Sequence, residues 1–355
     1  MAMSPAVEAL VAKKREESEK NSGTFTPTPT PTFLDMSKVP VLKNTITYEE
    51  IVGEPHPDGI ERVYPDTSKI KFKHMEDVPI PDPTWVPDHK ALPDEIAGIM
   101  YGHNTMVVGP PGTGKTKDQR EICARVGLPY YRVNGMEGME PADLFGQVHL
   151  RSGATVWVDG PIMRAARHGG LLTIDEPFKM PAGTLMGMQW LTETREAGRA
   201  VMLYGHPDPK EVKVNGHEEL RIVLCDNARG TGDNMDIYAA TNIQDASFVN
   251  RMQYKVRKDY MEPEIEARAI MTKYPWIQQP LADRMVKVAN LMRKAWKQGS
   301  IEVPFSFREL ETWAEIISEN GGSIIDALHA GFGNMLESGD EREVYEKAIL
   351  DVGFS

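Results

Sequence analysis

The stretch MVVGPPGTGKTKDQ, residues 106 to 119, restricts the fold more than any other part of the chain. Thr105 to Val108 form a β-prone apolar run, and Gly109 to Thr116 fit the G-x-x-x-x-G-K-[ST] pattern of a phosphate-binding loop. Gly109, Gly112 and Gly114 let the backbone turn tightly and aim its amides inward, and with Pro110, Pro111 and Thr113 they make the nest for a nucleotide's phosphates. The helix that starts near Gly114 adds the positive end of its dipole. Lys115 is placed to neutralise the β and γ phosphates, and the Thr116 hydroxyl to ligate Mg²⁺. The cofactors expected are therefore ATP and Mg²⁺.

Such a loop needs an acidic partner on a second strand. GGLLTIDEP, residues 169 to 177, is an apolar strand that ends in Asp175 and Glu176. Asp175 at the strand tip is expected in the Mg²⁺ shell, and Glu176 is expected to polarise the attacking water.

The remaining pattern is α/β. Strands are expected at 105–108, 130–134, 171–175, 221–225 and 252–256, alternating with helices in the manner of a five-stranded parallel sheet. Leu92, Ile96 and Met100 give one helix an apolar face ahead of the first strand. Two insertions interrupt this core. Residues 147–160 alternate around a Ser-Gly turn, as a β-hairpin does. Residues 226–247 form a polar, Gly-rich loop longer than a plain connector. After about 261 the apolar spacing becomes three and four, as at Leu281, Met285, Val288 and Met292, which predicts a helical lid. The domains expected are a disordered Thr/Pro tether at 1–32, an N-terminal arm or small accessory module at 33–88 with short β-like runs such as YEEIV and KIKFKHM, an α/β nucleotide-binding domain at 89–260, and a lid with C-terminal helices at 261–355.

Composition narrows the function. The 52 acidic and 40 basic residues give a net charge of −12, which repels phosphate backbones and disfavours nucleic acid as a partner. No apolar run reaches membrane-spanning length and no signal-peptide core is visible, so the expected location is cytoplasmic and no membrane is involved. Cys123 and Cys225, the two cysteines, fit a reducing compartment and the interior of the fold. The nine histidines show no ligand spacing, and His206 with Asp208 reads as a turn.

Taken together, the phosphate loop, the Asp175-Glu176 pair, the RVN strand, the hairpin insert and the loop DNARGTGDNMDIYAATNIQDASFVNRM resemble the AAA+ ATPases, and within them the MoxR branch and its CobS-like proteins, the small ATPase subunits of aerobic cobaltochelatase. The resemblance covers roughly residues 80 to 320. It implies that Asn227 holds the sensor 1 position and orients the lytic water. It also implies that Arg251 is the arginine finger, entering the neighbouring subunit's site, with Arg257 as reserve. The family pattern there is nearer Asp-Arg-Trp, whereas this chain has Asn250 and Met252. Arg308 in PFSFREL matches sensor 2 of the lid.

A trans arginine implies a ring, expected as a homohexamer. The resemblance further implies a von Willebrand A-type subunit and a large tetrapyrrole-binding chelatase subunit as partners, with cobalt entering the tetrapyrrole on the partner. Three other readings stay open: a MoxR-type chaperone maturing another protein complex, a nucleic-acid motor, and a nucleotide-gated structural subunit without turnover.

Overall fold

The computed structural model describes residues 44–193, 198–227, 249–319 and 322–354. The Thr/Pro tether and all but the first two residues of the 226–247 loop lie outside them. In chain order the strands are β1 (Thr45–Thr47), β2 (Val63–Pro65), β3 (Thr105–Val108), β4 (Tyr130–Asn134), β5 (Gly146–Arg151), β6 (Ala154–Asp159), β7 (Gly170–Asp175), β8 (Ala200–Met202), β9 (Lys213–Asn215), β10 (Leu220–Asp226) and β11 (Tyr254–Arg257). The helices are α1 (Tyr48–Val52), α2 (Leu92–Tyr101), α3 (Lys115–Val126), α4 (Pro141–Phe145), α5 (Pro161–His168), α6 (Ala182–Gly187), α7 (Pro263–Lys273), α8 (Gln279–Lys297), α9 (Phe307–Glu319), α10 (Ile324–Gly331) and α11 (Gly339–Asp351).

Five strands form one parallel sheet in the order β11-β3-β10-β7-β4. All five were expected; the runs of the central β3, β10 and β7 are apolar and continuous because both faces are covered, while the edge strands β4 and β11 carry exposed positions. Side chains alternate between those faces with a period of two. Val107, Leu171 and Val223 join Ile96 of α2 and Ile122 of α3 on one side, while Met106, Leu172 and Leu224 join Ile162 and Met163 of α5 on the other. The first side is completed by Tyr48, Ile51, Tyr64, Phe72 and Trp85, so residues from the N-terminal arm finish the same core as the sheet.

Two local expectations in the arm were wrong. YEEIV is α1, because Thr47 and Glu50 form a capping box: the Glu50 amide donates to the Thr47 hydroxyl (3.2 Å) and the Thr47 amide to the Glu50 carboxylate (2.7 Å). Gly53, at φ 92°, ends the turn. KIKFKHM forms no strand. Its alternation is real, with Phe72 buried between exposed Lys71 and Lys73, but the extended segment lies on the core with no strand to pair with.

The expected hairpin is β5–β6, closed by Ser152 and Gly153 at positive φ (50° and 80°). A second hairpin, β8–β9, was not expected. Helices α7 to α11 build the lid around their own core, including Met285, Val288, Met292, Trp313 and Phe332. α9 starts at a capping pair in which the Ser306 amide donates to Glu309 at 2.8 Å. No helix among the described residues is long and apolar enough to cross a membrane.

Candidate functional site

Strand order assembles the site. β10 lies between β3 and β7, in register Asp226 with Val108 and Cys225 with Asp175. The residue after β10 therefore sits between the phosphate loop, which follows β3, and the carboxylates that end β7. Asn227 fills that place. Its Oδ1 accepts from Lys115 Nζ at 2.9 Å, and its Nδ2 donates to Glu176 Oε1 at 3.1 Å. Lys115 also donates to the carbonyls of Gly109 (2.7 Å) and Pro110 (2.8 Å). Burial pulls the Lys115 ammonium below the usual lysine range, against the opposing pull of Asp175, Asp226 and Glu176.

The loop is cradle-shaped for a backbone reason. Gly112 and Gly114 stand at φ 68° and 81°, where a side chain would be strained. Gly109 is a close approach, since a Cβ there would lie 1.7 Å from the Lys258 carbonyl oxygen. A Cβ on Gly112 would lie 2.1 Å from the Ser306 hydroxyl, so the lid at the N-terminal end of α9 rests directly on the loop. The Tyr260 hydroxyl, from the chain entering the lid, donates to the Pro111 carbonyl at 3.3 Å.

Glu176 occupies a left-handed conformation, φ 51° and ψ 47°. Its amide donates to the Cys225 carbonyl at 2.7 Å. A Cβ on Gly135, just past β4, would lie 2.4 Å from the Glu176 carbonyl oxygen. The turn Pro177–Lys179 follows, anchored by Phe178 and Met180, both fully buried. Each of those burials contributes about 1.5–3 kcal/mol. The ion pair of Lys179 with Glu176 (2.8 Å) is part-exposed and contributes roughly 0–1 kcal/mol. Apolar burial therefore holds this turn. Asp175 accepts from Arg132 at 2.6 Å through Oδ2, which leaves Oδ1 without a hydrogen bond among the described residues.

Beneath the loop lies a buried charge cluster. Lys258 is in contact with Asp118 of α3 and lies 3.6 Å from Glu95 of α2, and the Trp85 indole donates to Asp118 at 3.0 Å. Burial alone would lower the Lys258 ammonium, yet Asp118 and Glu95 hold it above the usual lysine range. The Lys258 amide meets the Val108 carbonyl at 2.9 Å, so this cluster ties β11, β3 and α3 together at the loop. Beside it a narrow crevice of about 30 Å³ is lined by Trp85, Gly114, Asp118, Lys273, Phe307 and Glu311.

The three arginines are placed differently. Arg251 lies at the other end of the sheet: its carbonyl accepts from Asn104 at 3.4 Å and its guanidinium is 3.6 Å from Glu193. Tyr254 pairs with Thr105 and Arg257 with Val108, so a strand length of about 10 Å separates Arg251 from its own phosphate loop. Met252, where the family pattern has Trp, is fully buried in the core. Arg257 is exposed and ends β11 at the loop side. Arg308 is exposed on the first turn of α9, two residues past Ser306, and its guanidinium makes no hydrogen bond among the described residues.

Sequence reasoning missed Gly135, Lys179, Arg132 and Lys258. Lys179 lies three residues from Glu176, and Gly135 directly follows the quoted RVN strand, so those two had a local signal. Arg132 meets Asp175 only through the pairing of β4 with β7, and Lys258 meets Asp118 of α3 and Glu95 of α2 only in the tertiary fold.

A parallel sheet with a phosphate loop after one strand, paired carboxylates after a second and a polar amide between them defines a P-loop nucleoside triphosphatase. Residues 104–255 match the AAA domain of the dynein-related subfamily. The chain is 26% identical over 246 residues to the aerobic cobaltochelatase subunit CobS of Sinorhizobium sp, covering 67% of this chain and 72% of that one. It is 28% identical over 207 residues to protein CbbQ of Hydrogenophilus thermoluteolus, 57% and 72% of the two chains. With protein NorQ of Paracoccus denitrificans it shares 37% identity over 90 residues, a quarter of this chain and a third of that one. Residues 104–255 therefore carry an AAA-type ATPase domain, and over longer spans the chain is similar to CobS and CbbQ.

Proposed function

We propose that this chain is the motor subunit of a ring, hydrolysing ATP with Mg²⁺ to drive cobalt insertion into a tetrapyrrole bound by a partner. The observation that carries the hydrolytic part is the Asn227 amide, which bridges Lys115 and Glu176. ATP phosphates fit the cradle of Gly109 to Gly114, with Lys115 as counter-charge. Thr116 and the Asp175 Oδ1 are the protein groups suited to Mg²⁺. No group of three or more His, Cys, Asp or Glu side chains among the described residues is arranged to hold a metal by itself, which matches an ion completed by phosphates and water. Bound Mg²⁺ supplies charge neutralisation at the transferring phosphoryl group. Glu176 takes the proton of the attacking water, Asn227 orients that water, and Arg308 closes on the γ-phosphate as the lid moves. Arg251, distant from its own loop, serves the next subunit's site, which is the argument for a ring; that the ring is a homohexamer rests on the resemblance alone.

The cobalt reading rests on the likeness to CobS along most of the chain. A second reading, a MoxR-type chaperone maturing another protein complex, is favoured by the likeness to CbbQ and NorQ, whose names carry no chelatase. Isolation of the tagged full chain from its native host, followed by mass spectrometry, separates them. A co-purifying large tetrapyrrole-binding subunit with a von Willebrand A-type subunit is the expected outcome. Stoichiometric recovery with an unrelated complex, and no such subunits, would establish the second reading.

Coupling to partners is assigned to the β5–β6 hairpin and to the loop that follows Asn227. The hairpin pairs with no strand of the main sheet and carries Leu150 (78% exposed), Val148 and Val156 outward. Exposed aliphatics on a two-stranded ribbon suit a protein contact. Trimming LRSGATV, residues 150–156, to a two-residue turn is expected to keep basal ATP hydrolysis within a few-fold and to remove stimulation by the partner. An ATPase titration with added partner checks this, and equal stimulation of intact and trimmed protein would place the coupling elsewhere.

A further inference from the structure

Both carboxylate oxygens of Glu176 are held, and from different elements. Oε1 accepts from Asn227 at the end of β10, and Oε2 accepts from Lys179 Nζ at 2.8 Å. The Lys179 backbone has little freedom: its amide donates to the Glu176 carbonyl at 3.1 Å, Pro177 opens the turn, and the flanking Phe178 and Met180 are fully buried. Its ammonium makes no other hydrogen bond or ion pair among the described residues. An ion pair this exposed adds little to folding stability; in geometry it holds Oε2 on the side opposite the Asn227 amide.

We propose that Lys179 is a positioning residue for the hydrolytic step, clamping the Glu176 carboxylate opposite Asn227; the proposal rests on Glu176 being the base. Each carboxylate oxygen keeps a further acceptor position, so the clamp leaves room for water to donate. Without Lys179 the terminal torsion of Glu176, which is intrinsically broad, is restrained on one side alone. A base that wanders loses rate steeply, because catalysis depends on near-attack geometry. Nucleotide binding, which uses Lys115 and the loop amides, does not involve this contact.

The test is steady-state ATPase kinetics and fluorescent-nucleotide binding on the full chain. Lys179→Ala is expected to lower kcat about tenfold, a loss smaller than that of the base itself, with KM and nucleotide affinity unchanged. Lys179→Arg, which keeps a cation at the same place, is expected to recover most of the rate. In a Glu176→Gln background, adding Lys179→Ala is expected to change nothing further. An unchanged or raised kcat in Lys179→Ala would overturn the proposal, as would an equal loss in both backgrounds or a loss confined to KM. Full hydrolysis by Glu176→Gln alone would overturn the base assignment and this proposal with it, whereas a dead Glu176→Gln beside a normal Lys179→Ala overturns the proposal only.

Discussion

Glu176→Gln is expected to retain ATP and to hydrolyse it at least about a hundredfold more slowly than the unaltered chain, the lower bound of what a positioned base contributes. The substitution keeps the length of the side chain and an oxygen that can accept from the Asn227 amide, while Asp175, Thr116 and the loop are untouched. What disappears is the carboxylate able to take a proton from water. Lys115→Ala is expected to fail earlier, at binding. Its ammonium is the group that ties the loop carbonyls of Gly109 and Pro110 to Asn227, and no other lysine or arginine hydrogen-bonds those carbonyls among the described residues. Filter binding and phosphate release separate the two phenotypes: bound but unhydrolysed nucleotide for Glu176→Gln, and no bound nucleotide for Lys115→Ala. Normal hydrolysis by Glu176→Gln would remove that residue from the mechanism.

A mixture of two inactive variants is expected to recover activity. Arg251→Ala keeps its own loop, Lys115→Ala keeps its arginine, and a competent site forms where the intact loop of the first meets the intact arginine of the second. Separately, each variant is expected to be nearly inactive, because arginine fingers contribute roughly 10³- to 10⁵-fold. The geometry behind this is the placement of Arg251 beside Asn104 and Glu193, a strand length from its own Lys115. The assay is phosphate release across mixing ratios at constant total protein. Full rate in Arg251→Ala alone would turn attention to Arg257, which ends β11 on the loop side, or to a site complete within one chain.

Much of this architecture was legible because buried parallel strands leave unbroken apolar runs and the phosphate loop marks which strand comes first. The convergence of Lys115, Asp175, Glu176 and Asn227 followed from strand order. What escaped notice had weaker local signals. β8 and β9 are three residues each, too short for a period of two to declare itself. α1 was misread because Tyr, Ile and Val favour strands, while its capping box decided the outcome. Arg132 contacts Asp175 of a neighbouring strand and Lys258 contacts Asp118 of helix α3, at sequence separations of 43 and 140 residues. Such pairs have no signature in a single chain. The N-terminal arm was expected as an arm or small accessory module, and the shared core with Ile96, Val107 and Ile122 shows where its apolar residues find their partners.

The backbone at Glu176 has one more implication. A left-handed conformation is readily available to glycine and costs a residue with a side chain on the order of 1–3 kcal/mol. Selection for thermal robustness alone would favour glycine at this position. The glutamate thus marks a point of conflict between durability and turnover, of the kind that limits how far an enzyme can be stabilised without loss. Any campaign to harden this protein should treat position 176 and its close neighbour Gly135 as fixed, and seek its gains in the lid, where the described helices are built around a separate core.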